Sequence, residues 1–204
     1  MRWKELIDSI RESELYKESI FIFYEKNSSN LYSKETVKKI SKSKIMWKKF
    51  YTFLRIMDYN TDINEKFIFH SSYYRVCSNK NAFNIITFHD CIQELFGKGI
   101  RNYFTIKMKK RIIKKADHII CNSHTTRNDL ISLYRCDQNK VSVIYSGVNP
   151  VFQKIDNIEK NNHILFVGSR ASYKKFDFVI ELLKDNENLN LTIVGGGKIQ
   201  QART

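Results

Sequence analysis

"KKADHIICNSHTTRNDL", residues 114–130, changes texture twice within one short stretch. A basic end runs into the apolar His118-Ile119-Ile120-Cys121, which gives way at once to Asn122-Ser123-His124-Thr125-Thr126 before apolar residues return at helical spacing. The apolar run is too short for a helix, and its two β-branched isoleucines suit a strand. The hydroxyl of Thr125 is placed to cap a helix predicted over 125–134, because such an oxygen accepts from the unpaired N–H groups of a first turn. A strand that ends on small hydrogen-bonding groups and feeds a helix is the repeating unit of an open parallel sheet. The ligand crevice of such a sheet lies outside the carboxyl ends of its strands.

The same arrangement recurs on both sides of this stretch. "KFIFHSS" (66–72) and "FNIITFHD" (83–90) read as strands that end on polar residues, "KVSVIYSG" (140–147) as a strand stopped by Gly147, and "SIFIFYE" (19–25) as an earlier strand. Beyond a polar segment carrying Pro150, the only proline, come "HILFVGSR", a helix predicted over about 173–183, and "LNLTIVGGG". Helices are predicted for 3–10, for 98–116 and for the long run from Ser33 to Met57, whose apolar positions keep a rough helical period. Strand, polar exit, helix, strand is the rhythm of a doubly wound α/β chain, and five polar exits are expected to line one cleft. The predicted boundaries are an N-terminal domain over 1–147, a crossover over 148–162 and a second domain over 163–204.

Composition allows this fold and excludes others. At 42% hydrophobic and 13% aromatic residues the chain can bury a core, so disorder throughout is excluded. No run reaches the ~20 apolar residues of a spanning helix, and "MRWKELIDSIRES" lacks the apolar stretch of a secretory signal. A cytoplasmic location is expected. Cys77, Cys91, Cys121 and Cys136 have no paired spacing, so reduced, buried thiols are expected rather than disulfides or zinc ligands. The net charge of +14 favours phosphate-bearing partners. Lys, Asn, Ile and Ser are abundant along the whole chain, however, so charge alone does not point to one face. Between Lys98 and Ala116 stand eight Lys or Arg residues and no acid, with Ile100, Phe104, Met108 and Ile112 at four-residue spacing. That segment reads either as a helix packed on its sheet with a solvated basic face or as a peripheral contact with an anionic membrane.

"FHSSYYR", "ITFHD", "ADHIICNSHTTRNDLISLY", "KVSVIYSGVNPVF", "ILFVGSRASYKKFDFVIELL" and "LTIVGGG" occur in that order. The series, over roughly residues 67–197, resembles the family-4 glycosyltransferases of GT-B fold, especially bacterial enzymes that add mannose or a similar sugar to surface polysaccharides. The resemblance implies two Rossmann-like domains facing across a cleft, with acceptor chemistry on the first and nucleotide-sugar binding on the second. It implies a nucleotide-sugar donor such as GDP-mannose, a lipid-linked or polysaccharide acceptor, retention of anomeric configuration, no cofactor and no required metal. It places Arg170 and Lys174 on the donor diphosphate, where fixed cations stabilise the charge that develops as the glycosidic bond breaks. Gly168 supplies the tight turn before them, and Ser123 stands at a strand exit as a donor-side candidate or a cap. His89 falls beside the reacting sugar, with Asp90 orienting its ring or capping the next segment. His70, Ser71, Tyr73 and Asp90 are candidates for acceptor contact or cleft lining. The glycines at 195–197 allow either close backbone approach to a phosphate or a tight turn.

Two features depart from the family. Met1 leads almost directly into the helix that normally follows a first strand and Gly-rich loop, and the family's paired glutamates would fall beyond Thr204. The expectation is therefore a first domain without its opening strand, an incomplete second domain, and a fragment with little transferase activity by itself. The competing readings are a basic nucleic-acid-binding protein and a non-catalytic remnant. The former needs basic and aromatic residues interleaved on one exposed face, and the aromatic residues here fall mainly in predicted strands and helices, so no nucleic-acid partner is expected.

Overall fold

A computed structural model describes residues 9–10, 12–14, 21–23, 43–45, 57–71, 74–148, 151–153, 161–170 and 172–196, with the backbone alone for 21–23, 43–45 and 172. The chain divides into two compact units, Met1–Val148 and Asn149–Thr204. Among the described residues no helix is long and apolar enough to cross a membrane.

In the first unit a short parallel pair is formed by β1 (Phe21–Phe23) and β2 (Ser43–Ile45). The second of these strands corrects the helix predicted from Ser33 to Met57. Around "SKSKI" the helical period is weakest, and backbone pairing with β1 overrides propensity there.

The main sheet is parallel and runs in sequence order: β3 (Phe67–Ser71), β4 (Ala82–Phe88), β5 (His118–Cys121) and β6 (Val141–Val143). Between β4 and β5 lie α1 (Ile92–Phe96) and α2 (Ile100–Lys115), and α3 (His124–Tyr134) joins β5 to β6. Period-two alternation sorts the strand residues onto two faces. Ile86 and Phe88, Ile119 and Cys121, and Val141 share one face and are buried, against Ile112, Ile113 and Ala116 of the α2 segment and Leu130 of α3. Burial of each large aliphatic side chain contributes about 1.5–3 kcal/mol, and this face is the core of the unit.

The other face is partly polar. His70 Nε2 lies 2.9 Å from Thr87 Oγ1, and His118 Nε2 lies 2.9 Å from Ser142 Oγ. On the core face, buried Asn84 joins the sheet to the preceding segment, its amide accepting from Cys77 N at 2.7 Å and donating to Cys77 O at 3.1 Å. All four cysteines are buried and unpaired.

The second unit contains β7 (His163–Val167), a 3-10 turn at Ser172–Lys174, α4 (Phe176–Lys184) and β8 (Asn190–Val194), with β7 and β8 parallel. Helix α4 starts later than the predicted 173. Lys175 adopts a left-handed φ of 53°, which separates the 3-10 turn from the helix. Phe166 packs edge-on against Phe176, with ring centroids 4.9 Å apart.

Candidate functional site

Strands β4 and β5 end level with each other, Phe88 opposite Cys121, so the segments that follow them emerge side by side. His89-Asp90 leaves the first strand and Asn122-Ser123 the second. Thr126, buried on α3, joins the two exits. Its Oγ1 lies 3.0 Å from Asn122 Oδ1 and 3.3 Å from the His89 carbonyl oxygen, and it accepts from Ser123 Oγ at 3.0 Å. The structure therefore brings His89, Asp90 and Ser123 together, as their positions after adjacent strands predict.

The roles of these groups differ. Ser123, with extended φ and ψ, is the N-cap of α3 and accepts from Thr126 N at 3.0 Å. The predicted cap at Thr125 is corrected by two residues, because the oxygen of Ser123 sits where the third N–H of the helix points. Asp90 Oδ1 accepts from Ile92 N at 3.1 Å, an Asx turn that leads into α1, whose N-cap position is Cys91. His89 is exposed. Partial burial lowers its pKa, while the Asp90 carboxylate works in the opposite direction. An imidazole, which in its neutral form donates from one nitrogen and accepts at the other, suits a hydrogen bond to a sugar hydroxyl.

His70 and Ser71 stand elsewhere. Ser71 pairs with Ile86, two residues before the end of β4, which sets the β3 exit back by about 7 Å. Ser71 is buried, and His70 is engaged with Thr87 while burial lowers its pKa. Tyr73 lies outside the described residues.

Beneath the His89-Asp90 exit lies a group that sequence reasoning missed. Lys109 of α2 is only 2% exposed. Its ammonium donates to the Asp90 carbonyl at 2.9 Å, to Gln93 Oε1 at 2.7 Å and to Glu94 Oε2 at 3.0 Å, which uses all of its protons. It also lies 5.1 Å from the centre of the Phe88 ring. The other carboxylate oxygen of Glu94 accepts from Tyr134 of α3, which raises the tyrosine pKa together with burial. One buried cation thus fixes the backbone at Asp90 and ties α1 to α2, and through Glu94 to α3. The available signal was position: Lys109, Ile112, Ile113 and Ala116 share one helical face, so that lysine faces the core and requires a carboxylate partner.

In the second unit the exits of β7 and β8 also lie level, Val167 opposite Val194, and both turn through glycines of positive φ: Gly168 at 139°, Gly195 at 93° and Gly196 at 95°. A Cβ on Gly196 would stand 3.2 Å from the Gly168 carbonyl oxygen and 3.4 Å from Arg170 Cζ. The two turns approach that closely because side chains are lacking there. Arg170 Nη2 donates to the Gly196 carbonyl at 2.8 Å. Gly168, Arg170 and the 195–196 turn therefore form one constellation at the carboxyl edge of this sheet. Lys174 is exposed in the 3-10 turn, with Nζ 5.3 Å from the centre of the Tyr173 ring. Gly197 lies outside the described residues. Among the described residues no group of three His, Cys, Asp or Glu side chains is arranged to hold a metal ion.

The sequence is similar to that of known proteins. The O-antigen chain mannosyltransferase RfbU of Salmonella typhimurium (strain LT2) is 31% identical over 116 residues, 54% of this chain and 32% of that protein. The chain thus spans about a third of the length of this curated relative. Among solved structures, an S. aureus TarM mutant in complex with fondaparinux, alpha-GlcNAc-glycerol and UDP matches 62% of this chain and 28% of that one, at 18% identity and a TM-score of 0.46. The model of the family described as Glycosyltransferase Family 4 matches residues 47–152, more than half of the sequence, and the chain belongs to that family.

Proposed function

We propose that this chain serves a glycosyltransferase that moves a hexose, with mannose the first candidate, from a nucleotide sugar to a lipid-linked or polysaccharide acceptor with retention of configuration. Family membership over 47–152 carries the reading, and the likeness to an O-antigen chain mannosyltransferase supports the choice of sugar and acceptor class. The proposed division of labour follows the two edges. Arg170 and Lys174 meet the donor diphosphate, whose leaving charge they stabilise in place of a metal. Gly168, with open space where a side chain would stand, leaves room for the phosphates beside them. His89, at the β4 exit, hydrogen-bonds a hydroxyl of the sugar or acceptor, and Ser123 holds the neighbouring helix start.

Calorimetric titration with GDP, UDP and GDP-mannose tests the donor assignment. GDP and GDP-mannose are expected to bind, and Arg170→Ala to weaken them by about tenfold or more, the loss of one charge-assisted hydrogen bond or two. Binding that is unaffected by that substitution, or no binding of any nucleoside diphosphate, overturns the assignment of Arg170 as the donor cation.

A further inference from the structure

The hairpin of α1 and α2 presents an apolar tip. Leu95 and Phe96 close α1, and Ile100, Tyr103 and Phe104 open α2; all five are more than half exposed, from 53% at Leu95 to 76% at Ile100. With about 100° between successive helical residues, Ile100, Tyr103 and Phe104 point almost opposite to Lys109, Ile112, Ile113 and Ala116. The tip is thus a second apolar face, turned away from the core that the first one fills. The predicted stripe of Ile100, Phe104, Met108 and Ile112 is divided accordingly: Ile112 is buried, while Ile100 and Phe104 face outward.

The outward side of α2 continues in cations. Lys107, Lys110 and Lys114 are exposed and lie on the same side as Tyr103 and Phe104. The turn between the helices is rigidly built. Asn102 Nδ2 donates to Gln93 O at 2.7 Å, a Cβ on Gly97 would collide with that asparagine side chain, and Gly99 holds a φ of 83°. An apolar, aromatic cluster followed by a row of lysines on one surface has the chemistry of the boundary between acyl chains and anionic headgroups. Nucleic acid fits less well, because exposed Leu95 and Ile100 offer no stacking surface.

We propose that this hairpin seats the protein on an anionic lipid bilayer, with Leu95, Phe96, Ile100, Tyr103 and Phe104 entering the interface and Lys107, Lys110 and Lys114 lying over the headgroups. The proposal does not depend on the donor assignment.

Co-sedimentation of the purified chain with phosphatidylcholine vesicles, with and without phosphatidylglycerol, tests it. Binding is expected only with phosphatidylglycerol and is expected to weaken with added salt. Reversing three cations, Lys107→Glu, Lys110→Glu and Lys114→Glu, is expected to lower the partition coefficient on the order of a hundredfold. Replacing the tip, Ile100→Ser, Tyr103→Ser and Phe104→Ser, is expected to lower it by at least about tenfold. Both variants change exposed side chains, and unchanged circular dichroism establishes that they fold. No vesicle binding by the wild type, equal binding to both vesicle types, or wild-type binding by either variant overturns the proposal. So does a duplex oligonucleotide that competes with vesicles and binds the serine variant undiminished, which assigns the surface to nucleic acid. A concentration-dependent dimer that the serine variant loses, without any lipid binding, assigns the tip to self-association.

Discussion

Replacing Lys109 by Met keeps the packed stem of the side chain and removes only its ammonium. Three acceptors then lose their donor: the Asp90 carbonyl, Gln93 Oε1 and Glu94 Oε2. Glu94 is the costly one, because its side chain is only 7% exposed and retains Tyr134 as a donor but no cation. Breaking a buried pair from one side costs about 3–5 kcal/mol. The Asp90 carbonyl lies beside a carboxylate that is 44% exposed, so water can reach that end, and a loss near 3 kcal/mol is expected. All four cysteines belong to the first unit and are buried, so pulsed thiol labelling against urea reports the unfolding of that unit alone. With a urea dependence of about 2 kcal/mol/M, the midpoint falls by roughly 1.5 M. The chemistry also predicts non-additivity. Removing all three partners together, Lys109→Met, Glu94→Leu and Tyr134→Phe, leaves no buried unpaired charge, since the Asp90 carboxylate is 44% exposed, and is expected to cost less than Lys109→Met alone. A Lys109→Met protein within about 0.5 kcal/mol of the wild type, or a triple variant less stable than the single one, refutes the network as described.

Two further outcomes follow from burial. The His70 pKa is depressed by desolvation, so the unfolded chain binds a proton at higher pH than the folded one. The contribution of His70 is therefore present above the ordinary histidine value of about 6.5 and is lost as pH falls through the lower folded value. Urea midpoints measured from pH 7.5 downward should decline through that window, and His70→Asn should decline less steeply; parallel profiles would exclude His70 as the source. Burial also raises the Cys91 thiol to about 12 and the Cys121 thiol to about 11. A thiol reagent at pH 8 should leave all four cysteines unmodified in the native chain and modify all four in guanidinium chloride, and rapid native labelling of Cys91 or Cys121 would contradict the packing.

The strands of the main sheet and of the second unit were legible because short apolar runs end sharply on polar residues, and the pairing found in β4, β5, β7 and β8 preserves those ends. Where local signals competed, tertiary pairing decided. Ser43–Ile45, one serine, one lysine and one isoleucine, fits a helix as well as a strand, and β1 draws it into a ladder. Ser123 and Thr125 both suit a cap; the chosen residue is the one whose backbone is still extended as β5 ends. Lys109 was hidden by its seven basic neighbours between 98 and 116, since charge pattern marks a surface and only helical phase places one of these cations inward. Helix α1 was missed for a related reason: at five residues it is too short to show a period.

The five histidines show what a position within a strand decides. His70, His118 and His163 lie inside or at the start of strands, and each presents Nε2 to a hydroxyl on the adjacent strand: Thr87, Ser142 and Thr192. For His70 and His163, whose own register partners are Ile85 and Asn190, the hydroxyl comes two residues later along the neighbour, on the same face of the sheet. A side chain in a parallel ladder leans along the strand, so a hydroxyl at that diagonal is the nearest group that can satisfy an imidazole on a partly covered face. The identity of the residue is therefore no guide to function at those positions, and "FHSS" and "FHD" differ although they look alike. In the first, the histidine still has a neighbouring strand to pair with. In the second the strand has ended, and His89 leaves the ladder, its backbone carbonyl near Thr126. His124 does the same after β5, where its ring meets Tyr145 edge-on at 6.1 Å. An imidazole released from the ladder at the carboxyl end of a sheet is available to a ligand, and that is the physical ground for ranking His89 above His70.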